Sequence, residues 1–351
     1  MSILVSNINH RGQKDLSFEV RHKAYARPLA LILKDRRIMK LNFKFLTLLT
    51  LSIFAFGDTY SQTIKKIVLD ENDFYSGHYL VVEPENKDTI SGVLVLLAGF
   101  GQIPEDTPPE TKLHNVAYAN NILTIFYAGG NKLYADSITQ VKLTKVIKDV
   151  LTRYKVKSNT FVLGGYSAGG MIAMRYVELC NEFPDKFPIQ PKGIFTVDSP
   201  IDIFTIYEGL EESAKNNYSE LAVEEAVRAI GHIKNDYGVP RENISTYAKL
   251  TAFSMNKDYS QNEQWLKNTA VRTYHDVDIA WRIINRNQTV HGSNYEVTAE
   301  LINRLVLMGN DKAEFMQSFQ TGYRSKGQRH PHSWSIVNEV EFMQWMKGLI
   351  K

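Results

Sequence analysis

The chain has 351 residues, 44% hydrophobic and 23% charged, with 21 Gly and 11 Pro, the balance of an ordinary globular protein rather than a disordered or collagenous one. Its single cysteine, Cys180, excludes an internal disulfide and any multi-thiolate zinc or iron–sulfur site. The formal charge of +3 is unevenly spread: residues 1–61 hold 10 Lys/Arg against 4 Asp/Glu, whereas residues 62–351 hold 31 against 34, so the main body is slightly acidic and lacks the clustered basic face that nucleic-acid binding needs.

From Met39 onward, Lys40 and Lys44 form a short positive region ahead of an apolar run from Phe45 to Phe56, followed by small and polar residues. This layout reads as a secretory signal peptide over 39–61, with cleavage expected between Ser61 and Gln62. The run is 12 residues long, short of the roughly 20 that cross a bilayer as a helix. No cysteine sits just after it, which excludes a lipoprotein anchor, so membrane contact is expected only through the export signal. The mature chain is then expected in the periplasm or outside the cell. Residues 1–38 show no apolar periodicity and would bury the signal internally, so they read as an upstream extension, with translation starting at Met39.

Residues 62–351 read as one domain. Apolar runs rich in β-branched and aromatic residues predict strands at Tyr79 to Val82, Val93 to Leu97, Ile122 to Tyr127, Thr160 to Leu163, Ile194 to Val197, Val271 to Tyr274 and Glu314 to Phe319. Helix-period segments lie between or after them at Ile138 to Tyr154, Met171 to Cys180, Tyr218 to Asn235, Val297 to Leu307 and Val337 to Leu349. Strands alternating with helices imply an α/β fold with a mostly parallel sheet, and the continuously apolar Val93 to Leu97 suits a strand buried on both faces. The stretch 201–267 breaks this rhythm, being polar and helical, and reads as a cap inserted over one end of the sheet.

The chemistry concentrates where Thr160 to Leu163 runs into Gly164-Gly165-Tyr166-Ser167-Ala168-Gly169-Gly170 and then into a helical segment. Strand, tight turn and helix with G-x-S-x-G at Gly165, Ser167 and Gly169 expose a serine hydroxyl on a strained turn, with glycines where backbones must approach closely. No dinucleotide fingerprint and no phosphate-binding G-x-x-x-x-G-K-[ST] is present.

On these residues the chain resembles the α/β-hydrolase superfamily over roughly 78–350, in the manner of an exported serine esterase. The resemblance implies Ser167 as nucleophile and an oxyanion loop at Ala98-Gly99-Phe100-Gly101, with the backbone N–H groups of Phe100 and Ala168 as donors. Alanine stands at 98 where many relatives have histidine. The family order of Ser, acid, His leaves His330 and His332 as the histidines that follow every candidate acid. His332, followed by Ser333 and Trp334, is the expected base, with His330 bracing its loop. A metal reading of His330-Pro331-His332 lacks a nearby carboxylate partner.

For the acid, the resemblance points to the loop His275-Asp276-Val277-Asp278-Ile279-Ala280-Trp281, with Asp278 expected and Asp276 behind it. Asp198 and Asp202 follow the preceding strand, where some relatives carry their acid, and read by default as turn and N-cap residues. His275 reads as a loop hydrogen-bonding residue. The expectation is a serine hydrolase acting on a small-molecule or glycan ester through an acyl-enzyme, without metal or organic cofactor. A peptidase-like hydrolase, or an inactive binding module on the same fold, is the alternative.

Overall fold

The computed structural model describes residues 62–351, so the expected extension at 1–38 and the export signal at 39–61 lie outside the described residues. Eight strands are present: β1 (Ile64–Val68), β2 (His78–Val82), β3 (Gly92–Leu97), β4 (Ile122–Tyr127), β5 (Phe161–Tyr166), β6 (Gly193–Val197), β7 (Ala270–Asp276) and β8 (Ala313–Ser318). They form one sheet in the order β1-β2-β4-β3-β5-β6-β7-β8. β2 runs antiparallel to β1 and β4, and every pairing from β4 to β8 is parallel. The seven expected strands are all there. β1 escaped the sequence reading because it is an edge strand whose residues are almost all exposed, so it carries no apolar run.

Register positions the chemistry. Leu97 pairs with Gly165, Tyr166 with Val197, and Val197 with Tyr274. The next residue on each chain, namely Ala98, Ser167, Asp198 and His275, therefore emerges at the same carboxyl edge, where ligands bind in open α/β sheets.

Nine helices accompany the sheet among the described residues: α1 (Leu113–Ala119), α2 (Ser137–Tyr154), α3 (Ala168–Glu182), α4 (Ile203–Asn216), α5 (Glu220–Tyr237), α6 (Ile244–Leu250), α7 (Ile279–Arg286), α8 (Asn294–Leu307) and α9 (Glu339–Leu349). α2 shows why the sequence folds so: Asp136 caps it by accepting from Thr139 N at 2.8 Å, and Leu143, Val146, Ile147 and Val150 recur on its buried face. The sheet divides the core in two. Leu143, Met171 and Leu301 belong to the cluster on one face, Leu113, Phe342 and Met346 to the cluster on the other. Helices α4, α5 and α6 lie between β6 and β7, in the stretch 201–267.

Candidate active site

β5 delivers Ser167 in a conformation that side-chain-bearing residues seldom adopt, with φ 54° and ψ −131°, and α3 starts on the following residue. Such backbone costs on the order of 1–3 kcal/mol and persists only where the surroundings enforce it. The enforcement is visible at the flanking glycines. A Cβ on Gly165 would lie 2.3 Å from the carbonyl carbon of Gly169, and one on Gly169 would lie 2.3 Å from the Ala98 oxygen and 2.4 Å from the Leu97 oxygen. Gly169→Ala is therefore expected to force backbone apart and destabilise the protein by about 1–3 kcal/mol or more, read as a lowered urea midpoint.

The serine amide donates to Val197 O at 3.1 Å, which ties the turn to the end of β6. The next residue, Asp198, also has positive φ, at 42°. Its backbone is held on both sides, with its amide donating to Tyr274 O at 2.9 Å and its carbonyl accepting from Asn294 Nδ2 at 2.9 Å. The side chain accepts from two imidazoles: His332 Nδ1 donates to Oδ2 at 2.6 Å and His275 Nδ1 to Oδ1 at 3.0 Å. Burial by itself would raise the pKa of this carboxyl, but the hydrogen bonds from His275 and His332 and their charge outweigh it and hold the group well below the usual carboxylate range. His275, in β7, is fully buried, its Nε2 lies 2.7 Å from Thr298 Oγ1, and its ring stacks on Phe315.

The carboxylate that His332 meets is thus Asp198 and not the expected Asp278. Asp278 does not reach His332: it caps α7 by accepting from Trp281 N at 3.0 Å, and its other oxygen accepts from Arg329 at 2.9 Å. Asp276 does not reach it either, since it accepts from the amides of Gln320 at 2.8 Å and Gly322 at 2.7 Å and pairs with Arg329 at 3.0 Å. Both aspartates instead fasten the loop that carries the histidine. Asp202 caps α4 through Phe204 N, the role foreseen for it, whereas Asp198 is no cap.

His332 is positioned from three directions. Its carbonyl accepts from Tyr166 Oη at 3.1 Å and from His330 Nδ1 at 3.1 Å, and its ring lies 4.5 Å from the Tyr166 ring, centroid to centroid. His330 accepts from Arg286 at its other nitrogen, at 2.9 Å, and burial together with the nearby charges of Arg324, His332 and Arg286 pushes its pKa down to about 3. It is thus a neutral brace. Tyr166, next to the serine, is a positioning residue that the motif does not reveal, while His275 does hydrogen-bond as expected, but from β7 and not from a loop. Among the described residues no group of three His, Cys, Asp or Glu side chains is placed to hold a metal ion.

Ser167 Oγ makes no hydrogen bond among the described residues, so none joins it to His332. Catalytic hydrogen bonds are commonly long before substrate arrives. In the loop after β3, Gln102 Oε1 accepts from Gly99 N at 2.7 Å and Gly101 N donates to Gly130 O at 3.0 Å, while the amides of Phe100 and Ala168 have no acceptor among the described residues. A cleft of about 260 Å³ opens beside His332 and Asp198, lined by Tyr218 and Ala226 of the inserted segment and by Trp281, Arg282 and Arg286 of α7.

No family profile matches the chain, and no curated protein does. Solved structures do resemble it. Esterases from Rhizomucor miehei align with 86% of this chain and 88% of their own, at 11% identity and a TM-score of 0.52. Esterase B from Lactobacillus rhamnosus aligns with 89% of this chain and 95% of its own, at 8% identity and a TM-score of 0.51. At such identities the likeness concerns the course of the chain.

Proposed function

We propose that this chain, which has the α/β-hydrolase fold, is a serine hydrolase that cleaves carboxylic esters through an acyl-enzyme. The observation that carries the reading is the strained Ser167 at the end of β5 beside the carboxylate–imidazole pair of Asp198 and His332. A serine hydroxyl attacks only when its proton has somewhere to go. His332 Nε2 takes that proton as Oγ bonds to the ester carbon, and Asp198, accepting from Nδ1, fixes the tautomer and stabilises the imidazolium. The amides of Phe100 and Ala168 donate to the oxyanion as its charge develops. His332 then hands the proton to the departing alcohol, and water, deprotonated by the same imidazole, releases the acid.

The fold alone does not name a substrate. Export would bring the site to extracellular esters, acylated polysaccharides among them, and a natively secreted chain beginning at Gln62 would support it. A fluorophosphonate tests the mechanism directly, since it phosphonylates only an activated serine. The expected result is one label per chain, on the peptide containing Ser167, and none in Ser167→Ala. A folded protein that takes no label, or takes it elsewhere, defeats the reading.

A further inference from the structure

Two arginines of α7 face the cleft beside His332 and lack an acidic partner. Arg282 spends its Nε on the Thr289 carbonyl, and Arg286 one terminal nitrogen on His330. Neither has a carboxylate within ion-pair distance among the described residues, although both line the cleft. The aspartates of that wall are already engaged: Asp198 by two histidines, Asp276 and Asp278 by Arg329 and backbone amides. Glu225 also lines the cleft, but from an exposed position on α5. Arg286 lies over the rings of Tyr218 and Trp281, at 5.9 Å from each, which holds its guanidinium in place at the cleft wall.

Burial draws the pKa of Arg282 below the usual arginine value, with the charge of Arg286 acting in the same sense against the pull of Tyr295, Asp198 and Glu212. Each guanidinium keeps further N–H groups, and a guanidinium presents these as a fork suited to an anion with two or more oxygens.

We propose that Arg282 and Arg286 bind a carboxylate carried by the alcohol part of the ester, so that the substrate is an anionic rather than a neutral ester. The side follows from the walls of the cleft. They include His332, which protonates the leaving oxygen, and none of Ser167, Phe100 and Ala168, which meet the acyl carbon and its oxygen. The inference rests on the serine-hydrolase reading and adds the substrate's charge and where it sits.

The test compares 4-acetoxybenzoate, whose leaving group is anionic, with its neutral methyl ester, in the wild-type protein and in Arg282→Gln and Arg286→Gln. The ratio of the two kcat/KM values is expected to fall by about 10- to 100-fold in each variant, the span of one charge-assisted hydrogen bond, and to fall with added salt in the wild type. Equilibrium binding of 4-hydroxybenzoate should weaken in both variants. Binding is measurable even in a protein that cleaves nothing, and because Arg282 also holds a loop carbonyl, Arg286→Gln is the variant whose fold is least at stake. Unchanged ratio and binding in folded variants would overturn the arginine proposal and leave the hydrolase standing. A folded wild type that cleaves neither acetate and takes no fluorophosphonate label would defeat the hydrolase reading instead.

Discussion

In a folded Ser167→Ala protein, hydrolysis of a simple aryl acetate is expected to fall by on the order of 10⁶, to the residual rate that oxyanion donors and binding can sustain. The size of the loss follows from the division of labour at the carboxyl edge of the sheet. Without Oγ there is no acyl-enzyme, and the imidazole held by Asp198 has no proton to take. Structure should survive, because the hydroxyl is not hydrogen-bonded and alanine leaves the glycine contacts of the turn as they are. The change in unfolding free energy is expected within about 0.5 kcal/mol. Turnover measured beside a urea titration separates the two outcomes, and undiminished turnover in a folded variant would exclude Ser167 as nucleophile.

Asp198→Asn is expected to lower kcat by about 10⁴, as loss of the orienting carboxylate does in a comparable triad. An amide offers one acceptor oxygen where two imidazole N–H groups now donate, so one histidine must turn away or take the wrong tautomer. Asp278→Asn should cost less than about tenfold, since that residue reaches the site only through Arg329 and the start of α7. The reverse ranking would return the catalytic role to Asp278. Stability carries a second signature. The folded-state pKa of Asp198 is depressed, so its contribution is fully present above the unfolded value of about 3.9 and is lost as pH falls toward the folded value. The stability gap between wild type and Asp198→Asn in urea should accordingly narrow below about pH 4.

How far the sequence carried differs between elements. The buried strands were legible because a run such as Val93 to Leu97 is apolar throughout, and the elbow because its steric needs demand glycine at fixed places. Two helices outside the stretch 201–267 were not. α1 has seven residues, too few for a period to register, and α7 has eight. The miss at α7 is why Asp278 was expected to reach His332. Ile279 and Ile283, four apart after Asp278, are the signature of a helix start, which makes Asp278 an N-cap by the same argument that was applied to Asp198. The position of Asp198 depends on register instead. Its value to His332 comes from β6 lying beside β5 and from a positive φ that turns the side chain into the site, and neither is written in the local sequence.

The hydrogen bond from His332 to Asp198 joins residues 134 positions apart, and the one from Tyr166 to the His332 carbonyl spans 166. Contacts of such separation come late in folding, because the intervening chain must be ordered before they can form. During synthesis His332 also leaves the ribosome after every strand has been made. A chain folded as far as β8 would hold Ser167 and Asp198 on the sheet and lack His332 beside them, so under the proposed mechanism it would have a core but no base for Ser167. Refolding followed by spectroscopy should run ahead of refolding followed by ester cleavage, the interval between them measuring the docking of one C-terminal loop.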